Sequence, residues 1–247
     1  MITKNNTVLI TGGATGIGFA LAESFVKLGN KVIVCGRRMD KLEDAKRRLP
    51  SLIVRQCDVS KEGDRRALYE WVEKEFNDLN LLVNNAGIQR RIDFTKGTED
   101  LLRQEDEIDI NFKAQVYLAA RFVPLLSRQK EAAIVNVSSG LGFVPLTVFP
   151  IYSATKAAIH SFTMSLRFQL RRTSVKVFEV IPPTVHDTEL KGKPFEKAEW
   201  SVSSSEVAEA VVKGLEGDVL EIAVGPSKRW LSRSKSELDQ AFGNMNH

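Results

Sequence analysis

Short apolar runs recur along the chain. Between them lie stretches in which apolar residues return every three or four positions. The runs at 7–11, 31–35, 52–56, 79–83, 132–137, 175–181 and 219–224 read as strands. They are continuous rather than alternating (TVLIT, KVIVC, AAIVNV), the mark of strands buried on both faces of a parallel sheet. The stretches 16–28, 40–49, 61–76, 153–170 and 204–215 read as helices. The stretch 101–126 reads as one or two long helices, with Pro124 disturbing the last turn, and 236–242 as a short final helix. Gly29 stands where a helix ends, Pro50 closes another, and a run of serines precedes the helix at 204.

Strand–helix alternation of this kind builds right-handed βαβ units. The expectation is an α/β fold: a single doubly wound Rossmann-type domain over residues 1–247. It has about seven mostly parallel strands with helices on both faces. No linker or repeat divides it. The irregular stretch 182–203 is long enough to serve as a substrate lid, with Leu190, Phe195 and Trp200 as anchors.

Composition adds exclusions. Thirty-five Lys+Arg against thirty-one Asp+Glu leave a net charge of +4. The basic residues come as scattered pairs, read as solvated helix faces, and no block of like charge suggests nucleic-acid binding. Two cysteines, Cys35 and Cys57, make neither a disulfide framework nor a metal site. His160 and His186 have no ligand company in the sequence, so no metal is expected. The N-terminus does not read as a signal peptide, and no run of about 18 apolar residues would span a membrane. A cytoplasmic location is expected.

Chemistry enters directly after the first strand, at Thr11-Gly12-Gly13-Ala14-Thr15-Gly16-Ile17-Gly18. Glycines there let a backbone turn approach a pyrophosphate, and the helix start supplies free N–H groups. Gly12, Thr15, Gly16, Ile17 and Gly18 are therefore candidate dinucleotide contacts. The second strand ends Cys35-Gly36-Arg37-Arg38, where an acid would bind a ribose 2′-OH. Arginine instead pairs with a 2′-phosphate, so Arg37 and Arg38 favour NADP over NAD. Tyr152 and Lys156 lie four apart on one helix face, where an ammonium is expected to lower the tyrosine pKa for proton transfer. Ser139 ends the fifth strand, at the edge where ligands bind. Leu141, Phe143, Val144, Phe149 and Pro150 suggest an apolar substrate wall, and Arg90 and Arg91 read as solvated surface with an anionic substrate as the alternative.

These motifs together resemble the short-chain dehydrogenase/reductase family. TGxxxGxG at 11–18, NNAG at 84–87, Ser139 and YxxxK at 152–156 occur in the family's order and span the chain from 7 to 224. The resemblance implies a hydride transfer between NADP and a carbonyl or alcohol, with Tyr152 as acid/base and Asn111, Ser139 and Lys156 as its catalytic companions. It implies that Asn111 supports a proton relay to Lys156. It also implies that Asp58, Val59, Asn84, Ala86, Gly87 and Thr188 line the cofactor site, with Tyr152 and Lys156. Pro182-Pro183 replaces the family's usual Pro-Gly and leaves the local geometry there open. The long helices correspond to those that pair subunits, so a homodimer or homotetramer is expected, with a small-molecule substrate. A non-catalytic dinucleotide-binding or redox-sensing protein is the alternative. An epimerase of the extended family is a poorer fit, because it would need a further substrate domain.

Overall fold

A computed structural model describes residues 3–102, 106–188, 190, 198, 200–232, 237 and 244. Seven strands form one sheet: β1 (Thr7–Thr11), β2 (Lys31–Gly36), β3 (Ile53–Gln56), β4 (Leu79–Asn84), β5 (Ala132–Val137), β6 (Val175–Ile181) and β7 (Glu221–Ala223). Their order is β3-β2-β1-β4-β5-β6-β7, and every pairing is parallel. The reversal of winding falls between β1 and β4. In open α/β sheets that is where the strand ends splay apart and ligands bind.

The helices are α1 (Gly16–Lys27), α2 (Met39–Arg48), α3 (Glu62–Glu75), α4 (Glu99–Leu102), α5 (Ala114–Leu126), α6 (Pro150–Leu170), α7 (Ser204–Glu216) and α8 (Ser227–Leu231). Strand parity sorts them onto two faces. Val8, Ile10, Val32 and Val34 pack with Phe25 of α1, Leu42 of α2 and Val207 of α7. Their neighbours Leu9, Ile33 and Cys35 face the other way, onto Val72 of α3, Leu118 of α5 and Leu166 of α6. Burying such a side chain fully contributes about 1.5–3 kcal/mol, so both sheet faces are strongly specified. Cys35 and Cys57 are buried and free.

Local signals explain the boundaries. Gly29 takes φ +80° just after α1. Pro150 occupies the first turn of α6, where its missing N–H has no helical acceptor to satisfy. Ser203 and Glu206 form a reciprocal capping box at α7. The stretch expected as one or two helices from 101 to 126 is more broken. A short α4 comes first, then a π-helical segment (Ile108–Lys113) runs directly into α5. Pro124 lies inside α5, two residues before its end at Leu126, and leaves the Ala120 carbonyl without the helical N–H it would otherwise accept from. The expected helix at 236–242 falls almost wholly outside the described residues.

The proposed lid at 182–203 is described only at its ends, since residues 189, 191–197 and 199 lie outside the described set. Those ends are tied together. Val185 bridges Val202, His186 N donates to the Val202 carbonyl at 3.1 Å, and Val202 N donates to the Thr184 carbonyl at 3.1 Å.

Candidate active site

The carboxyl ends of the strands open into a cleft of about 860 Å³. Its floor is the turn between β1 and α1. Gly12 sits at φ +64°, and a Cβ there would come 2.9 Å from the Ala86 Cα. A Cβ at Gly18 would come 2.3 Å from the Gly12 carbonyl oxygen, so only glycine lets α1 start this close to the turn. Thr11 fastens the floor to the segment after β4: its hydroxyl accepts from Asn85 N and Ala86 N, each at 3.0 Å. The backbone cradle and exposed α1 start suit a pyrophosphate.

Gly12, Thr15, Gly16, Ile17, Asp58, Val59, Ala86, Gly87 and Thr188 line the cleft, as do Arg37 and Arg38. Lys41 joins the two arginines, and neither Asp40 nor any other acid but Asp58 lines this end among the described residues. Asp58 spends one carboxylate oxygen on Ser60, accepting from its N–H at 3.0 Å and its hydroxyl at 2.7 Å. Two expected contacts stand elsewhere. Asn84, the last residue of β4, is wholly buried, and its amide donates to Asn136 Oδ1 on β5 at 2.9 Å. It braces the sheet, while Asn85 faces the cleft. Gly18 supports the turn from behind without lining the cleft.

Ser139, Tyr152 and Lys156 meet at the other end, all buried and all lining the cleft. Ser139 Oγ accepts from Leu141 N at 3.1 Å. Lys156 Nζ donates to the Val137 carbonyl at 2.8 Å and lies 5.5 Å from the centre of the Tyr152 ring. The expected lowering of the Tyr152 pKa is reversed here. Burial pushes the phenol up to about 12, against a downward pull from Ser139 and with further upward push from Glu107. Burial also brings the Lys156 ammonium down to about 8, partly offset by Glu179. Desolvation is the largest cause of both shifts because both groups are buried.

Asn111 lies in the π-helical segment, behind the cleft wall. Its amide donates to the Ile88 carbonyl at 2.8 Å, and its Oδ1 accepts from Ile88 N at 2.8 Å. The same amide is 3.3 Å from Thr155 Oγ1 on α6. The extra residue of the π-turn lets Asn111 clamp the chain after β4 against the tyrosine helix.

Other expectations change. Arg90 is buried, not solvated: its N–H donates to Glu107 Oε1 at 3.0 Å, and its Nε is 3.9 Å from Glu107 Oε2. Arg91 is exposed, as expected, and lies over the Phe149 ring at 5.9 Å. Of the five apolar wall candidates, only Leu141 lines the cleft; Val144 and Phe149 are buried in the packing, and Phe143 stacks on His160 at 4.6 Å. Nor is His160 without company. Its Nδ1 is 2.8 Å from Glu179 Oε2, and potential ligand atoms of His160, Glu179 and Glu221 lie within 4.8 Å of one another. Hydrogen bonding to Glu179 raises the His160 pKa, and Arg167 reaches Glu221 at 3.4 Å. An ion-pair cluster running from buried Glu179 out to partly exposed Glu221 accounts for all four side chains.

Sequence reasoning missed Gln89, Leu146, Ser227 and Trp230, which also line the cleft. Ser227 and Trp230 lie on α8, beyond the last strand, where no motif marks them. Among the described residues, no helix is long and apolar enough to cross a membrane.

Residues 6–199 match the short chain dehydrogenase family. The chain is 50% identical to the uncharacterized oxidoreductase DltE of Bacillus subtilis, over 100% of this chain and 98% of that one. It is 31% identical to the NADP-dependent 3-hydroxy acid dehydrogenase YdfG of Escherichia coli, over 76% of each chain. Among solved structures, a short-chain dehydrogenase from Sphingobium yanoikuyae in complex with NADPH is similar at a TM-score of 0.80 and 27% identity, covering 97% of this chain and 94% of that one. One from Burkholderia phymatum in complex with NAD shares the fold at a TM-score of 0.84 and 21% identity, covering 98% and 96%. A parallel seven-stranded sheet, a glycine turn at the cleft floor and a buried tyrosine–lysine pair at its end are thus found in a chain that belongs to the short-chain dehydrogenase family of oxidoreductases.

Proposed function

We propose that the protein transfers a hydride between NADP(H) and a carbonyl/alcohol pair, with Tyr152 as the proton donor and acceptor. The observation that carries this reading is the convergence of Ser139, Tyr152 and Lys156 at one end of a cleft whose other end holds Arg37, Arg38 and Lys41. Three cations around that end suit a 2′-phosphate, which arginine grips bidentately. Gly12, Gly16 and the start of α1 suit the pyrophosphate, and Thr188 stands close to the glycine turn, its methyl 3.0 Å from where a Gly16 Cβ would be.

When bound, NADPH supplies the hydride that the carbonyl carbon accepts. Tyr152 gives its phenolic proton to the carbonyl oxygen in the same direction of reaction. Its raised pKa keeps that proton in place at neutral pH, so the resting site is loaded for reduction. Ser139 donates a hydrogen bond to the same oxygen and stabilises the charge that develops there. Lys156, a cation below about pH 8, favours the phenolate once the proton has left. Asn111 is a positioning residue. It holds the Ile88 carbonyl beside the lysine helix and supports a relay in which Lys156 passes a proton to the Tyr152 phenolate and regains one from solvent.

Exposed Tyr117 on α5 and Met164 and Phe168 on α6 support a homo-oligomer paired through these two helices. The experiment is a screen of NADPH oxidation against aldehydes, ketones and sugar-like carbonyls, with dinucleotide binding measured in parallel. Turnover of any carbonyl that is lost in Tyr152→Phe is the expected result. Tight NADPH binding without turnover across the panel would mean a binding protein instead.

A further inference from the structure

Resting on the reading above, we propose that the substrate is an uncharged carbonyl compound with an apolar, ring-sized body and a second hydrogen-bonding group, and that Ser227 is the residue that selects it. The walls of the cleft beyond Tyr152 are Leu141, Leu146, Pro183, Trp200 and Trp230. Flat apolar groups pack well on such indole and leucine surfaces.

Charge is withheld from this end. Among the described residues, Lys156 is the one charged side chain that lines it, and Lys156 is committed to the Val137 carbonyl. Arg37, Arg38 and Lys41 belong to the opposite end. Arg90, the arginine best placed in the sequence to meet an anion, is buried against Glu107. The Glu107 charge also reaches Tyr152, where it raises the phenol's hold on its proton. A substrate carboxylate beside Tyr152 would meet that same field, and among the described residues no arginine lines this end to answer it. A hydroxy acid, the substrate class in the name of the Escherichia coli relative, is poorly served by this cleft.

Ser227 supplies the polar contact. It is 1% exposed, lines the cleft, and its hydroxyl has no hydrogen-bond partner among the described residues. A Cβ built on Gly140 would sit 2.8 Å from Ser227 Oγ, so the hydroxyl stands against the residue that follows Ser139. A buried hydroxyl without a partner is costly, and a ligand group that bonds it recovers that cost. Gln89 Oε1, after β4, is a second unpartnered atom among the described residues that line the cleft.

The test uses three aryl ketones in an NADPH-oxidation assay of the full-length protein. Ethyl benzoylacetate is neutral with a second carbonyl, benzoylacetate carries a carboxylate in its place, and butyrophenone has neither. We expect kcat/KM for ethyl benzoylacetate to exceed that for benzoylacetate by about a hundredfold. In Ser227→Ala, the ratio of kcat/KM for ethyl benzoylacetate to that for butyrophenone should fall about tenfold. The melting temperature should not fall, because the removed hydroxyl bonds nothing in the fold. Equal or faster reduction of benzoylacetate would overturn the neutral-substrate inference while leaving the oxidoreductase reading intact. An unchanged ratio in Ser227→Ala would overturn the role of Ser227. Failure to reduce any of the three also overturns the inference, and the wider carbonyl screen then decides the oxidoreductase reading separately.

Discussion

Lys156 hangs from the Val137 carbonyl by a 2.8 Å hydrogen bond, one helical turn below Tyr152, whose ring centre is 5.5 Å from the ammonium. The lysine is thus held by the strand that leads into Ser139, with its ammonium beside the tyrosine ring. Its pKa is lowered from 10.5 to about 8 by burial, so the ammonium is present at pH 7 and lost as pH rises through that value. The kcat/KM for carbonyl reduction should be level below about pH 8 and fall above it, by up to about tenfold per pH unit. A profile level to pH 10 would show that Lys156 is solvated or that its charge does not matter.

Tyr152→Phe should reduce turnover by about a thousandfold or more, in the range of a lost general acid. NADPH binding, followed by the cofactor's fluorescence, should survive because the ring still packs. Near-native activity in this variant would remove Tyr152 from the chemistry.

Arg37→Asp should weaken NADPH binding by about ten- to a hundredfold and improve relative affinity for NADH, since an acid repels the 2′-phosphate and accepts from a ribose hydroxyl. Calorimetric titration with both dinucleotides reads the switch. Equal affinity of the native protein for the two would contradict the roles given to Arg37 and Arg38.

Arg90 and Glu107 are buried together, with the Arg90 Nε and Nη1 and the Glu107 Oε2 lacking hydrogen bonds among the described residues. Removing one partner strands the other. Glu107→Ala should cost about 3 kcal/mol in urea denaturation, while the pair Arg90→Met with Glu107→Leu should cost less than the sum of the single changes. Additive losses would mean that the two charges do not stabilise one another.

The sequence carried most of the fold because parity is simple: Val8, Leu9 and Ile10 must face alternate sides, and both sides are covered. Ser139, Tyr152 and Lys156 were readable for the same reason, being fixed to a strand end and a helix face. What the sequence hid depends on contacts far along the chain. Arg90-Arg91 has the look of a solvated doublet until Glu107 folds against the first of the pair. Asn84 and Asn85 are alike in type, and only the end of β4 decides which one faces the cleft. The Tyr152 pKa reversed its expected direction because burial is a property of the assembled fold. Ser227 follows the last strand on a five-residue helix with no pattern of its own.

The tie between Val185 and Val202 has an evolutionary consequence. The chain between them departs from and returns to one point beside the catalytic end, so its closure is settled by the bridge rather than by its own length. Lengthening such an excursion costs little, about 0.6 kcal/mol for each doubling. A change of length between Val185 and Val202 is therefore expected to leave Ser139, Tyr152 and Lys156 in place. On the proposed reading, substrate range is then free to change here while the residues proposed for hydride transfer stay where they are.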